Sequence, residues 1–283
     1  MKGEGMSRFE FTQVDVFTEQ PLKGNPVAVV HGADGLSDDQ MQAFARWTNL
    51  SETTFLLQPT EPAADYRLRI YTPGGELPFA GHPTLGSCHA WLERGGTPQR
   101  DTVVQQCGVG LVPVRRDAVG LAFAAPPLRR TGPVEADVLA QIARSLHLDR
   151  AAIRASQWVD NGPGWVAVLL ASRDAVLALR PDFVAMGELK VGVIAPWTAR
   201  DAPAQFEVRA FVPSLGVPED PVTGSLNAGL GQWLIGAGRA PARYVASQGT
   251  VLGRAGRVHV RRDGSDLWVG GASVSCVRGT VSL

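Results

Sequence analysis

Three side chains in this sequence can move protons and stand beside small-residue motifs: Glu52 in "NLSETTFLLQP", His82 in "AGHPTLGS" and Asp220 in "EDPVTGS". Glu52 precedes a segment that continues apolar, so partial desolvation would raise its pKa. A carboxyl raised toward neutrality suits proton abstraction from carbon, whereas the same glutamate at a wet strand edge would be ordinary. His82 and Asp220 each stand immediately before Pro and four residues before Gly-Ser. Alone, the histidine reads as a core residue and the aspartate as a turn former. Their shared setting makes them a candidate pair serving two points of one substrate. Gly86-Ser87 and Gly224-Ser225 are expected to open two helices whose unpaired N–H groups would hold a small carboxylate. Ser51, next to Glu52, joins this substrate-binding set.

Other chemistries lack their residues. The five histidines show no metal-ligand spacing. Neither a G-x-x-x-x-G-K-[ST] loop nor a dinucleotide G-x-G-x-x-G turn follows a strand, and no G-x-S-x-G elbow exists for a hydrolase. No metal site is therefore expected. The three cysteines, Cys88, Cys107 and Cys276, are odd in number and far apart, so they suggest neither a disulfide framework nor a zinc site.

The elements that would position these groups come twice. "YRLRIYTP" (66–73) matches "FEVRAFVP" (206–213), "HPTLGSCHA" (82–90) matches "DPVTGSLNA" (220–228), and "VPVRRDAVGL" (112–121) matches "VHVRRDGSDL" (258–267). "PVAVV" (26–30) likewise faces "WVAVLL" (165–170), so four matches run in one order at nearly one spacing, as in a duplicated fold. In this register His82 falls on Asp220, Cys88 on Leu226 and, read loosely, Lys190 on Glu52. With Cys88 on Leu226, a symmetric two-cysteine racemase has no residues to run on. Ser37 with Gln40 forms a capping box and Leu36 with Met41 a staple, which opens a helix to about Thr48. Val138, Leu139, Ile142 and Leu146 form a second helical stripe. Segments 9–17, 26–31, 53–57, 66–72, 103–106, 109–115 and 120–124 alternate with period two and end at Gly or Pro. The stretches after each Gly-Ser are apolar on nearly every side, which marks buried helices.

The expected architecture is α+β: two pseudo-symmetric halves, each a mostly antiparallel curled sheet or barrel around one buried central helix. The first half spans 1–125, the second 134–271, and the Pro-rich stretch 126–133 links them. Both central helices would begin at Gly-Ser and point toward the partner half across a cleft. The 27 Lys+Arg balance the 27 Asp+Glu and leave no basic stripe, which argues against a nucleic-acid partner. With 45% hydrophobic residues the chain can bury a core. The N-terminus shows no apolar signal region, and the longest uncharged run is too rich in glycine for a bilayer span. A cytoplasmic protein without membrane partners is the expectation.

"DVFTEQPLKGNPVAVV", "LSETTFLL", "LRIYTPGGELPFAGHPTLG" and "EDPVTGSLNAGLGQWL" together resemble the phenazine-biosynthesis PhzF-like family, from about Phe9 to the C-terminus. The resemblance implies the diaminopimelate epimerase-like fold, with the C-terminal strand, about 272–283, returning to the first half. It also implies a cofactor-independent isomerase of the trans-2,3-dihydro-3-hydroxyanthranilate type, working by general acid/base catalysis, and a homodimer. Glu52 would transfer the proton in the interdomain cleft, His82 and Asp220 would assist, and Gly81, Gly224 and Ser225 would surround the substrate's polar groups. The substrate would be a small, carboxylated, cyclic molecule. An epimerase or racemase of an amino acid-like substrate, or a non-catalytic binding protein on the same fold, are the alternatives.

Overall fold

The computed structural model describes residues 7–199, 201–215 and 217–283. The chain forms two compact units. The first comprises the chain up to Leu22, Pro26–Phe123 and Ala272–Leu283; the second comprises Lys23–Asn25 and Ala124–Gly271.

In the first unit the segment Thr53–Leu57, two threonines followed by Phe and two leucines, runs parallel to Asn25–His31, with Thr53 opposite Ala28. It runs antiparallel to Tyr66–Thr72. That strand pairs antiparallel with Gly75–Leu77 and parallel with Val103–Cys107, placing Tyr66 opposite Gln105. Val103–Cys107, Gly110–Asp117 and Gly120–Ala124 continue as hairpins. The C-terminal strand Ser273–Ser282 pairs antiparallel with Arg8–Val16, with one register shift at Gln13/Val14.

The second unit repeats the pattern strand for strand. Lys190–Pro196 runs parallel to Trp165–Leu169, with Gly192 opposite Ala167. It runs antiparallel to Phe206–Val212, which pairs antiparallel with Val217–Asp220 and parallel with Arg243–Gln248, Phe206 facing Ala246. Arg243–Gln248, Gly256–Asp263 and Asp266–Gly271 close the series as hairpins. The order and sense of these pairings match the first unit, which is the signature of a duplication.

Helix α1, Asp38–Thr48, starts as the sequence predicts: Gln40 N–H donates to Ser37 Oγ at 3.2 Å and Ser37 N–H to Gln40 Oε1 at 3.0 Å. Leu36 and Met41 join Phe44, Phe55 and Tyr71 in one apolar cluster. Helix α2, Gly81–Glu93, is the buried helix of the first unit and packs against strands on several sides. In the second unit, α3 (Ala136–Ser145), α4 (Arg173–Leu177) and α5 (Phe183–Met186) flank the sheet, and α6 (Gly224–Gly236) is the buried helix. Leu139, Ile142 and Leu146 of the predicted stripe are in its core, with Val138 half-buried at the margin.

Four expectations need correction. Helix α2 begins at Gly81 rather than at Gly86-Ser87, which sit in its second turn; Pro83 belongs naturally in a first turn, where its missing N–H costs nothing. The register of the repeat changes accordingly. Leu77 faces Ile70 as Asp220 faces Ala210, and the two 13-residue helices start four residues later. Asp220 therefore takes the place of Leu77, and His82 that of Ser225. The second unit carries a longer turn before Val217–Asp220 and a register shift at Phe211/Val212, so the Pro, Gly and Ser coincidences between the two motifs were misleading. Likewise the parallel ladders match Lys190 with Ser51, one residue from Glu52. Finally, the stretch 126–133 is no free linker: Arg130–Gly132 is a strand paired with Trp158–Asp160, and Lys23–Asn25 belongs to the second unit.

Candidate active site

Glu52 is the last residue before the Thr53–Leu57 strand, and two threonines fix it there. Thr53 Oγ1 lies 2.8 Å from Thr48 Oγ1 at the end of α1. Thr54 Oγ1 donates to Ala28 O at 3.1 Å and lies 2.8 Å from Ser87 Oγ inside α2. A residue directly preceding a strand pinned on both sides has little freedom to move.

The Glu52 side chain is 16% exposed and its Oε2 stands 3.4 Å from His82 Nε2, whose side chain is 6% exposed. Burial pushes the Glu52 carboxyl up to about 7, against the opposing effect of a hydrogen bond from Ser51. The cause is desolvation of the charged form. A carboxyl poised at neutrality can both accept and return a proton there. His82 is the second residue of α2 and follows Gly81, its first. Ala80, at the cap position, offers no side-chain hydrogen bond to the helix start, which leaves a positive helix end beside the Glu52–His82 pair. Ser51, Glu52, Gly81 and His82 are thus neighbours in the first unit.

Gly86 and Ser87 lie elsewhere. A Cβ on Gly86 would collide with Val27 Cγ1 and come within 2.9 Å of Val16 Cγ2. Ser87 is fully buried, with its hydroxyl on Thr54. Both serve the packing of α2.

In the second unit Asp220 ends the Val217–Asp220 strand. Its Oδ2 accepts from Thr223 Oγ1 at 2.6 Å and its Oδ1 from Asn25 Nδ2 at 2.9 Å. Thr223 caps α6 by position only, because its hydroxyl is committed to Asp220. Gly224 and Ser225 open α6; Ser225 Oγ accepts from Trp165 Nε1 at 3.0 Å, and its carbonyl from Asn161 Nδ2 at 2.9 Å. Gln248 ties the turn together: Nε2 donates to Asp220 O and Thr223 Oγ1, while Oε1 accepts from Thr223 N and Asn227 Nδ2. Asn25, Thr223 and Gln248 escaped the reading of the sequence. Asn25 stood in the G-N-P of one motif and Thr223 in E-D-P-V-T-G-S, but Gln248 carried no local signal. Among the described residues no group of three or more His, Cys, Asp or Glu could hold a metal ion, and no helix is long and apolar enough to cross a membrane.

Comparison with known proteins places this geometry in context. A family model described as phenazine biosynthesis-like protein matches residues 14–279. The trans-2,3-dihydro-3-hydroxyanthranilate isomerase of Pseudomonas aeruginosa is 34% identical, with 94% of each chain covered. The antisense-enhancing sequence 1 protein of Schizosaccharomyces pombe is 36% identical over 97% of this chain and 99% of its own. Among solved structures, a phenazine biosynthesis protein of the PhzF family from Enterococcus faecalis superposes with a TM-score of 0.80 at 26% identity, covering 98% of this chain and 100% of that one.

Proposed function

This chain belongs to the phenazine biosynthesis-like protein family, whose relatives include named isomerases, and from that premise we propose that it shifts a proton within a small carboxylated ring, with Glu52 as the acid/base. The observation that carries this reading is the Glu52 carboxyl held near neutrality 3.4 Å from His82. Trans-2,3-dihydro-3-hydroxyanthranilate, the substrate named for the Pseudomonas aeruginosa relative, is the first candidate. As carboxylate, Glu52 takes a proton from a ring carbon, and the electron pair of that C–H bond moves into the conjugated system. As neutral acid, it returns the proton to another carbon of the same system, giving an enol that tautomerises to the ketone. Atoms balance without an external reductant or oxidant, so the reaction asks nothing of a cofactor. His82, beside Glu52, orients the carboxyl and tempers its charge while the proton is in transit. The uncapped start of α2 favours the substrate's negative charge. Asp220, Gly224 and Ser225 are proposed as substrate contacts in the second unit.

The test follows the proton by NMR in D₂O, with wild type and Glu52→Gln. Deuterium at a new carbon of a rearranged product, formed by wild type alone, supports the reading. Deuterium at the original carbon with inverted configuration would instead identify an epimerase, and equal turnover by Glu52→Gln would remove Glu52 from the chemistry.

A further inference from the structure

We propose that Asn25 is a positioning residue for the Asp220 carboxylate, delivered to it by a three-residue strap that leaves its sequence neighbours to join the second unit. The proposal rests on the reading of Asp220 as a substrate contact. Lys23–Asn25 is grouped with the second unit although its neighbours on both sides belong to the first, and it is held there by its own set of bonds. Ala255 N–H donates to Lys23 O at 2.7 Å, Lys23 Nζ donates to Gly253 O at 2.9 Å, and Arg254 donates from one guanidinium nitrogen to Gly24 O at 3.1 Å. The strap ends in Asn25, which is 1% exposed.

The chemistry of the contact fixes its direction. Asn25 Nδ2 meets two acceptors, Asp220 Oδ1 at 2.9 Å and Val222 O at 2.8 Å. Only the NH₂ end of the amide can satisfy both, so its orientation is determined by the bonding. Asp220 thereby receives one donor on each oxygen, Asn25 on Oδ1 and Thr223 on Oδ2. Two donors, one on each oxygen, hold the carboxylate plane. The Val222 bond locks the turn that carries Asp220 to Gly224, the first residue of α6. The following Pro26 starts the return to the first unit, so the G-N-P order places a buried donor at the end of the strap.

Two measurements test this. The first needs no substrate: amide hydrogen exchange of Asn25→Ala against wild type. The expected result is exchange at Val222–Gly224 faster by at least about tenfold, with the body of α6 still protected; unchanged exchange there overturns the proposal whatever the activity. The second is the D₂O turnover assay with Asn25→Ala, Asn25→Asp, Asp220→Asn and the Asn25→Ala/Asp220→Asn double variant. Asn25→Ala is expected to lower kcat about 10- to 100-fold, and to add little further loss once Asp220 is Asn. Measured relative to wild type at the same pH, Asn25→Asp is expected to recover activity at acid pH, where its protonated carboxyl can donate to Asp220, and to lose it as pH rises. A merely structural Asn25 would give additive losses and no acid rescue, and either result overturns the proposal. Full turnover by Asp220→Asn would overturn it differently, by showing that Asp220 itself is dispensable while Glu52→Gln still tests the isomerase reading on its own.

Discussion

Glu52 is expected to set how activity and stability respond to pH. In the unfolded chain its carboxyl ionises near 4.5, and in the folded chain near 7. Between those values the folded state keeps a proton the unfolded state has lost, so stability falls as pH rises through that window, by up to about 3 kcal/mol. Glu52→Gln should remove that slope and be the more stable protein at pH 8, as urea melts at pH 5 and pH 8 will show. The same variant should keep its fold and lose turnover by about 10²- to 10⁴-fold. In wild type kcat/KM should rise with an apparent pKa near 7, because abstraction needs the carboxylate. Ser87 offers a contrast. Buried and bonded to Thr54, it should cost about 1 kcal/mol on Ser87→Ala with KM unchanged; a raised KM in a fully folded variant would return it to the substrate's side.

At the scale of the element, the two buried helices depend on glycine for close approach. Gly86 lies against the fully buried side chains of Val27 and Val16, and Gly229 against the main-chain carbonyl of Val159, which is the less able to move. An alanine gains about 1 kcal/mol of helix propensity, but overpacking costs about 1–3 kcal/mol. Both Gly86→Ala and Gly229→Ala should therefore be destabilising, Gly229→Ala the more so, a ranking that denaturant midpoints will settle. Buried helices of this kind were readable from composition, because a stretch apolar on all sides has nowhere else to go. The start of α2 was not: Gly-Ser suggested an N-terminus, but the chain had already entered the helix at Gly81, where the neighbouring hairpin released it.

At the scale of the molecule, the C-terminal strand completes the first unit. Ser273–Ser282 pairs along the length of Arg8–Val16, and Val281 and Leu283 pack against the α1 cluster. A chain ending at Gly271 leaves that strand edge open. Its amides in residues 8–16 should lose hydrogen-exchange protection, while those of 155–169 and 206–212 keep theirs. Equal protection in both chains would show that the first unit closes without its last strand. The strap at Lys23–Asn25 has the same character, because both are segments whose partners are distant in sequence and set by topology alone.

Local patterns by themselves determined most of the strands, the capped α1, the two buried helices and the duplication. Each of these follows from periodicity, capping or a run of types that only a few conformations satisfy. The tertiary structure alone decided the register between the two halves, which moved Asp220 from His82 to Leu77. It also moved Gly86 and Ser87 into the packing and brought Asn25 and Gln248 to Asp220. Register depends on turn lengths and strand pairing between distant residues, and a buried hydrogen bond such as Asn25 to Asp220 joins groups that share no local pattern.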